Sequence, residues 1–154
     1  MRKYFLITFA IFLIDRILKI LSVNLPDKIF LFPGIVSFDR HINYGIIFSL
    51  NFPMLPVIIV SAVFMAVILV LLIKSFLSPP SEGGARGGLG WLLILAGALS
   101  NFADRVMYLG TVDYINILDR SLVNLADGMI LAGIIVLLTK IKDKKELKKE
   151  QIIE

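Results

Sequence analysis

The residues able to do chemistry in this chain are carboxylates and amides spaced three and four apart. Asp15 and Lys19 are one helical turn apart and so share a face. Asn101, Asp104 and Arg105 form a second such group, and Asn124 and Asp127 a third. Asp113 lies between the last two groups. Other chemistries fall away. With no cysteine there is no thiolate nucleophile, thiolate metal site or disulfide. The single histidine, His41, is one too few for a two-histidine zinc motif. Ser100 and Ser121 have no histidine in their own cluster, which disfavours a serine hydrolase. A Ser–Lys arrangement using Lys19 stays open. Asp113 and Asp127 could flank one bound substrate. Two close carboxylates do not both ionise easily and share a proton, so one takes a proton from water while the other donates to a carbonyl oxygen. The plainer readings are ion pairing and binding of lipid headgroups. On spacing alone, Asp104 beside Arg105 reads as support, Asp15 with Lys19 as structural or substrate-orienting, and His41 as a loop residue.

These groups need elements to hold them, and the composition narrows which. Of 154 residues 58% are hydrophobic and 18% charged, against about 25% charged in a usual soluble domain. Mean hydropathy is +0.88. A disordered chain is excluded and an ordinary soluble enzyme is disfavoured. Apolar runs of about 17 to 25 residues read as membrane spans. They fall at about 4–21, 54–73, 89–107 and 122–140. Arg2 and Lys3 before the first run resemble a signal peptide. No small-residue cleavage site follows and Asp15, Arg16 and Lys19 interrupt its end, so it reads as a retained helix. Pro53 and Pro56 mark the start of the second span. Residues 74–88, with Pro79, Pro80 and a glycine-rich run, read as a flexible linker; a phosphate cradle would need the order of a Walker motif. Residues 23–52 read as an outer loop and strand region, and Gly110–Ile117 as a short extended segment.

Basic residues set the expected orientation. Arg2, Lys3, Lys74, Arg86 and six lysines from Lys140 to Lys149 fall on one side of four spans, ten of the 16 in the chain. The expectation is a single membrane all-α domain over residues 1–154, with four transmembrane helices and a small extracytoplasmic β/loop part. Both termini are then cytoplasmic, and a basic tail at 141–154 lies beside anionic lipid. Nucleic-acid binding is disfavoured because only that tail is basic. An ionisable group in a span costs about 2.5 kcal/mol or more unless it finds partners or water. Asp15, Lys19, Asp104, Asp113 and Asp127 should therefore gather at one interfacial depth.

The ordered motifs resemble those of bacterial lipoprotein signal peptidase, the signal peptidase II family. They are Asp15-Arg16-Ile17-Leu18-Lys19, Asn43-Tyr44-Gly45-Ile46-Ile47-Phe48, Ser100-Asn101-Phe102-Ala103-Asp104-Arg105, Gly110-Thr111-Val112-Asp113-Tyr114 and Asn124-Leu125-Ala126-Asp127. The resemblance covers nearly the whole chain. Ser100 stands where the family usually has glycine, Tyr114 where it has phenylalanine, and Ile46 and Ile47 where it has small residues. The resemblance implies that Asp113 and Asp127 are catalytic. It implies that Asn101, Asp104, Arg105 and Asn124 support them, and that Asp15, Lys19, Asn43 and Gly45 lie near the site. It further implies an aspartic endopeptidase that cleaves prolipoproteins just before a diacylglyceryl-modified cysteine. Such an enzyme has no metal or organic cofactor and is inhibited by globomycin-type compounds. It would act as a monomer, surrounded by phospholipid, at the outer face of the bacterial inner membrane. The rival expectation is a non-enzymatic helical lipid-binding or small transport subunit.

Overall fold

The computed structural model of the chain describes residues 2–25, 27–44, 53–77 and 84–153. In chain order the elements are α1 (Arg2–Val23), β1 (Ile29–Phe32), β2 (Val36–Asn43), α2 (Met54–Leu77), α3 (Gly84–Tyr108), β3 (Thr111–Ile117), β4 (Ser121–Val123) and α4 (Leu125–Ile153). The strands form one antiparallel meander in the order β1-β2-β3-β4. The molecule is thus mostly helical with one small sheet. At 1.5 Å per residue, α1 and α2 extend about 33 and 36 Å, enough for a hydrocarbon core of about 30 Å. Among the described residues, α2 and the Gly88–Tyr108 part of α3 are long and apolar enough to cross a membrane. In α1 three charged residues interrupt the run, and the apolar part of α4 is the shorter stretch Leu125–Thr139.

Burial is inverted relative to a soluble protein. Phe5, Leu6, Phe9, Leu13 and Ile17 on α1 are exposed, as are Leu55, Val63, Phe64 and Val67 on α2. Asp15, Lys19, Ser100, Asp104 and Asp113 are buried. Water outside these helices would make that arrangement costly; hydrocarbon outside them favours it.

Several expected boundaries move, and α4 runs on to Ile153 rather than ending at about 140. Residues 121–123 pair as β4, and the fourth helix starts at Leu125 rather than about 122. The reason lies in Asn124, whose side-chain oxygen accepts the Asp127 N–H at 2.9 Å and so caps the helix there. Of the expected linker 74–88, residues 74–77 continue α2 and 84–88 belong to α3, while 78–83 lie outside the described residues. Small residues let α3 approach α4 closely. A Cβ on Gly97 would stand 2.5 Å from the Ala126 carbonyl oxygen, and one on Gly133 2.6 Å from that of Gly90. The contact at Gly97 fixes the mid-part of α3 against the first turn of α4, where Asp127 sits. Leu109, at φ 55°, ends α3 and turns the chain back into β3.

Candidate active site

Helical and strand periodicity sort the polar side chains into two adjoining groups. On α3, Ser100 and Asp104 share the face toward α1, while Asn101 and Arg105 share the neighbouring face toward a polar cavity. On β3, consecutive residues point to opposite sides of the sheet. Asp113 therefore lines the cavity, and Tyr114 enters the seam between α1 and α4.

The first group is a buried ion network centred on α1. Lys19 Nζ lies 3.1 Å from Asp15 Oδ2 and 2.7 Å from Asp104 Oδ2. It also donates to Asn101 Oδ1 at 2.7 Å and to Ser100 Oγ at 3.3 Å. Arg16 pairs with Asp104 and donates to the Ser100 carbonyl. Asp15 accepts from Ser100 Oγ at 2.5 Å, Tyr114 Oη at 2.9 Å and the Ala126 N–H at 3.1 Å. The last contact places a carboxylate at the N-terminus of α4, where the helix dipole favours it. Two acids and two bases balance, and most of their polar atoms are partnered. That is the condition under which buried charges are tolerated.

The second group holds Asp113 and Asp127. Asn124 and Asp127 make a reciprocal capping box. The Asn124 side-chain oxygen accepts the Asp127 N–H, and the Asp127 carboxylate accepts the Asn124 N–H at 3.3 Å. The Asn124 amide nitrogen is then free to donate 2.7 Å to Asp113 Oδ1. One residue thus fixes both acids. Asn43 Nδ2, brought across by β2–β3 pairing, lies 3.3 Å from Asp113 Oδ2. A register shift between Phe38 and His41 puts a bulge in β2 beside this point, where bulges commonly re-aim side chains. Asn101 joins the two groups: it accepts from Lys19 and donates to Asp127 Oδ1 at 2.9 Å.

Asp113, Asp127, Asn43, Asn101 and Arg105 line one polar cavity of about 160 Å³. Burial and, secondly, the charge of Asp127 push the Asp113 carboxyl up to about 6, against the pull of Asn124, Asn43 and Lys19. Burial, then the charge of Asp15, raises the Tyr114 phenol, so its hydroxyl keeps its proton and donates. A cavity of this kind suits proton transfer to and from a water held between two carboxyls.

The expected residues are therefore divided. Asp113, Asp127, Asn43, Asn101 and Arg105 line the cavity, with Asn124 between the two acids. Asp15, Lys19 and Asp104 form the adjoining ion network. Asp104 pairs with Arg16 and Lys19 rather than with its neighbour Arg105, since adjacent helical residues do not face each other. Gly45 lies outside the described residues, as do Ile46, Ile47 and Phe48. His41 sits in a strand rather than a loop, exposed and paired across the sheet with Asp113. Spacing missed Arg16 and Tyr114 as members of the network, and raised Ser100 only as a nucleophile paired with Lys19, whose Nζ lies 3.3 Å from its Oγ. For Arg16, adjacency to Asp15 hid the signal, because its true partner is 88 residues away. Among the described residues no three His, Asp or Glu side chains converge as a metal ion would need.

The chain as a whole is similar to known proteins. The chain resembles the lipoprotein signal peptidase of Listeria monocytogenes serotype 4b (strain CLIP80459), with 25% identity covering 88% of this chain and 90% of the relative. Its likeness to that of Listeria welshimeri is 24%, over the same shares. Its fold matches a bacterial membrane enzyme solved by the in meso method at 2.3 Å with a TM-score of 0.81, covering 97% of this chain and 93% of the other at 23% identity. A second in meso structure of a bacterial membrane enzyme, at 1.9 Å, matches with a TM-score of 0.73. The family model described as signal peptidase (SPase) II matches residues 7–142, from the first helix through the apolar part of α4 and across both polar groups. This integral membrane protein belongs to the signal peptidase II family.

Proposed function

We propose that the chain removes signal peptides from prolipoproteins by hydrolysing the bond just before a diacylglyceryl-modified cysteine, with Asp113 and Asp127 as the catalytic pair. The observation that carries the assignment is that both carboxyls line one cavity and both accept from Asn124, Asp113 from its side-chain amide and Asp127 from its backbone N–H. The ionised member takes a proton from a water whose oxygen attacks the scissile carbonyl carbon. The protonated member donates to the carbonyl oxygen. Collapse of the tetrahedral intermediate breaks the C–N bond; the leaving amine takes the proton that the first carboxyl drew from water and becomes the new N-terminus, while a hydroxyl of the intermediate returns its proton to the second carboxyl. Asn101 holds Asp127, Asn43 holds Asp113, and Arg105 supplies positive charge on the cavity wall.

Four helices cross the bacterial inner membrane in this reading, with both termini cytoplasmic and the sheet outside. Ten basic residues then lie on the cytoplasmic side. In α1, the charged residues that break the apolar run are neutralised within the ion network, which supports its insertion. The cavity sits near the outer face, beside the phospholipid through which a lipid-modified substrate arrives. Globomycin-type inhibitors compete for that cavity. The enzyme works as a monomer.

The test is cleavage of a purified lipid-modified precursor by wild type, Asp113→Asn and Asp127→Asn. The expected result is processing by wild type and none by either variant, each remaining folded. Processing by either variant overturns the pair. A non-enzymatic lipid-binding or transport subunit predicts no processing by the wild type.

A further inference from the structure

A second cavity, of about 180 Å³, lies between α1 and α3 near the other end of α1. Phe5, Phe9 and Phe12 form one wall and Leu92, Leu95 and Leu99 the other. The phenyl rings run in sequence along α1, Phe5 and Phe9 stacked at 6.2 Å and Phe9 and Phe12 at 6.5 Å. The cause of the gap is the narrow contact that α1 makes. Its buried residues are Thr8, Asp15, Lys19 and Ser22, and of these only Thr8 lies in the first half of the helix. The ion network holds the second half against α3, and no comparable packing closes the first.

Two polar features mark this groove. Thr8 is 2% exposed and lines it, and its hydroxyl has no hydrogen-bond partner among the described residues. Buried hydroxyls are seldom left so, and an apolar cavity of this size stays dry and takes apolar guests rather than water. Arg2, exposed, precedes Phe5 by three residues and Phe9 by seven, and so stands above the groove on the same face. Along the helix it lies about 9 Å from Thr8, at 1.5 Å per residue. A cation at the rim, an unused donor below it and a hydrocarbon-shaped slot match the parts of a phospholipid in that order: phosphate, ester carbonyl, acyl chain.

We propose that this groove is a binding site for one anionic phospholipid of the bilayer, its phosphate on Arg2, an ester carbonyl accepting from Thr8 Oγ1, and an acyl chain between the phenylalanines of α1 and the leucines of α3. The substrate's own diacylglyceryl group is the less fitting occupant. It carries no phosphate, and Thr8 is seven residues from Asp15, about 10 Å further along α1 than the ion network.

Native mass spectrometry of the full chain in detergent, titrated with dioleoylphosphatidylglycerol, tests the site; dioleoylphosphatidylcholine and dioleoylglycerol are titrated in parallel. One lipid should bind well above the background of weak adducts, phosphatidylglycerol ahead of both others. Ala96→Phe, which fills the groove, should abolish that one equivalent. Thr8→Val and Arg2→Gln should each weaken it about tenfold, the scale of one lost hydrogen bond or charge contact. Thr8→Val also removes a buried unpaired hydroxyl, so the variant stays folded and remains informative if Ala96→Phe does not. Equal binding by wild type and Thr8→Val overturns the proposal, as does dioleoylglycerol binding as tightly as phosphatidylglycerol. None of these readings depends on peptidase activity.

Discussion

Replacing Asp113 by asparagine should make the protein more stable at pH 7.5 while abolishing processing. The Asp113 carboxyl rises from 3.8 to about 6 in the folded chain. Between those values the folded state holds a proton that the unfolded state has released. Stability therefore falls as pH rises from about 4 to about 6, and stays low above that. About two pKa units at 1.36 kcal/mol each give about 3 kcal/mol of destabilisation at pH 7.5. Asparagine carries no charge to desolvate, and its oxygen can still accept from Asn124. Its NH2 group would face Asn43, forfeiting a long hydrogen bond worth about 1 kcal/mol. The variant should then gain about 2 kcal/mol at pH 7.5, or about 4–8 °C in Tm for a chain of this size. At pH 4 the wild-type carboxyl is neutral in the folded state, and the gain should vanish or reverse by about 1 kcal/mol. Thermal unfolding in detergent across pH 4–8, followed by Trp91 fluorescence, reads this directly. A variant less stable than wild type by the same amount at every pH would refute the reasoning, because Asp113 would then be held by favourable contacts rather than strained by burial and by Asp127.

Three other substitutions probe what holds the acids. Tyr114→Phe strips the hydroxyl that donates to Asp15 and accepts the Leu125 N–H, leaving a helix-start donor unpaired at a cost of about 1–3 kcal/mol; kcat should drop about tenfold with KM unchanged, and an unaltered kcat would show that Tyr114 does not position α4. Asn43→Ala removes a donor that favours the ionised form of Asp113, so the carboxyl should rise above about 6 and the alkaline limb of the kcat/KM profile should move to higher pH; a limb moving to lower pH contradicts this. Gly97→Val puts a branched side chain where even a Cβ would lie 2.5 Å from the Ala126 carbonyl oxygen, so α3 and α4 should separate and processing should be lost with both acids intact. Full processing by Gly97→Val would show that the close approach is dispensable.

Much of the site can be read along the chain because its geometry is local. Asn124 and Asp127 are a capping box, and three-residue spacing at a helix start dictates their reciprocal bonds. Asn101 and Arg105 share a face because they are four apart. Strand alternation separates Asp113 from Tyr114 on any sheet. Helix boundaries were less legible: Ser121–Val123 are apolar enough to extend the fourth helix, yet they pair with β3 once Asn124 caps at the following residue. The Gly84–Gly88 segment has the composition of a linker, yet it continues as the first turn of α3.

Sequence by itself determined the apolar runs, the inventory of carboxylates and amides, and their phase on each element, since these follow from residue type and the fixed periods of helix and strand. Only the tertiary structure decided the partnerships. Asn43 reaches Asp113 across 70 residues through the β2–β3 register, Arg16 reaches Asp104 across 88, and Tyr114 reaches Asp15 across 99. Such pairings depend on where separate elements pack. In a membrane protein that packing is set by small residues such as Gly97 and by the need of buried charges for one another.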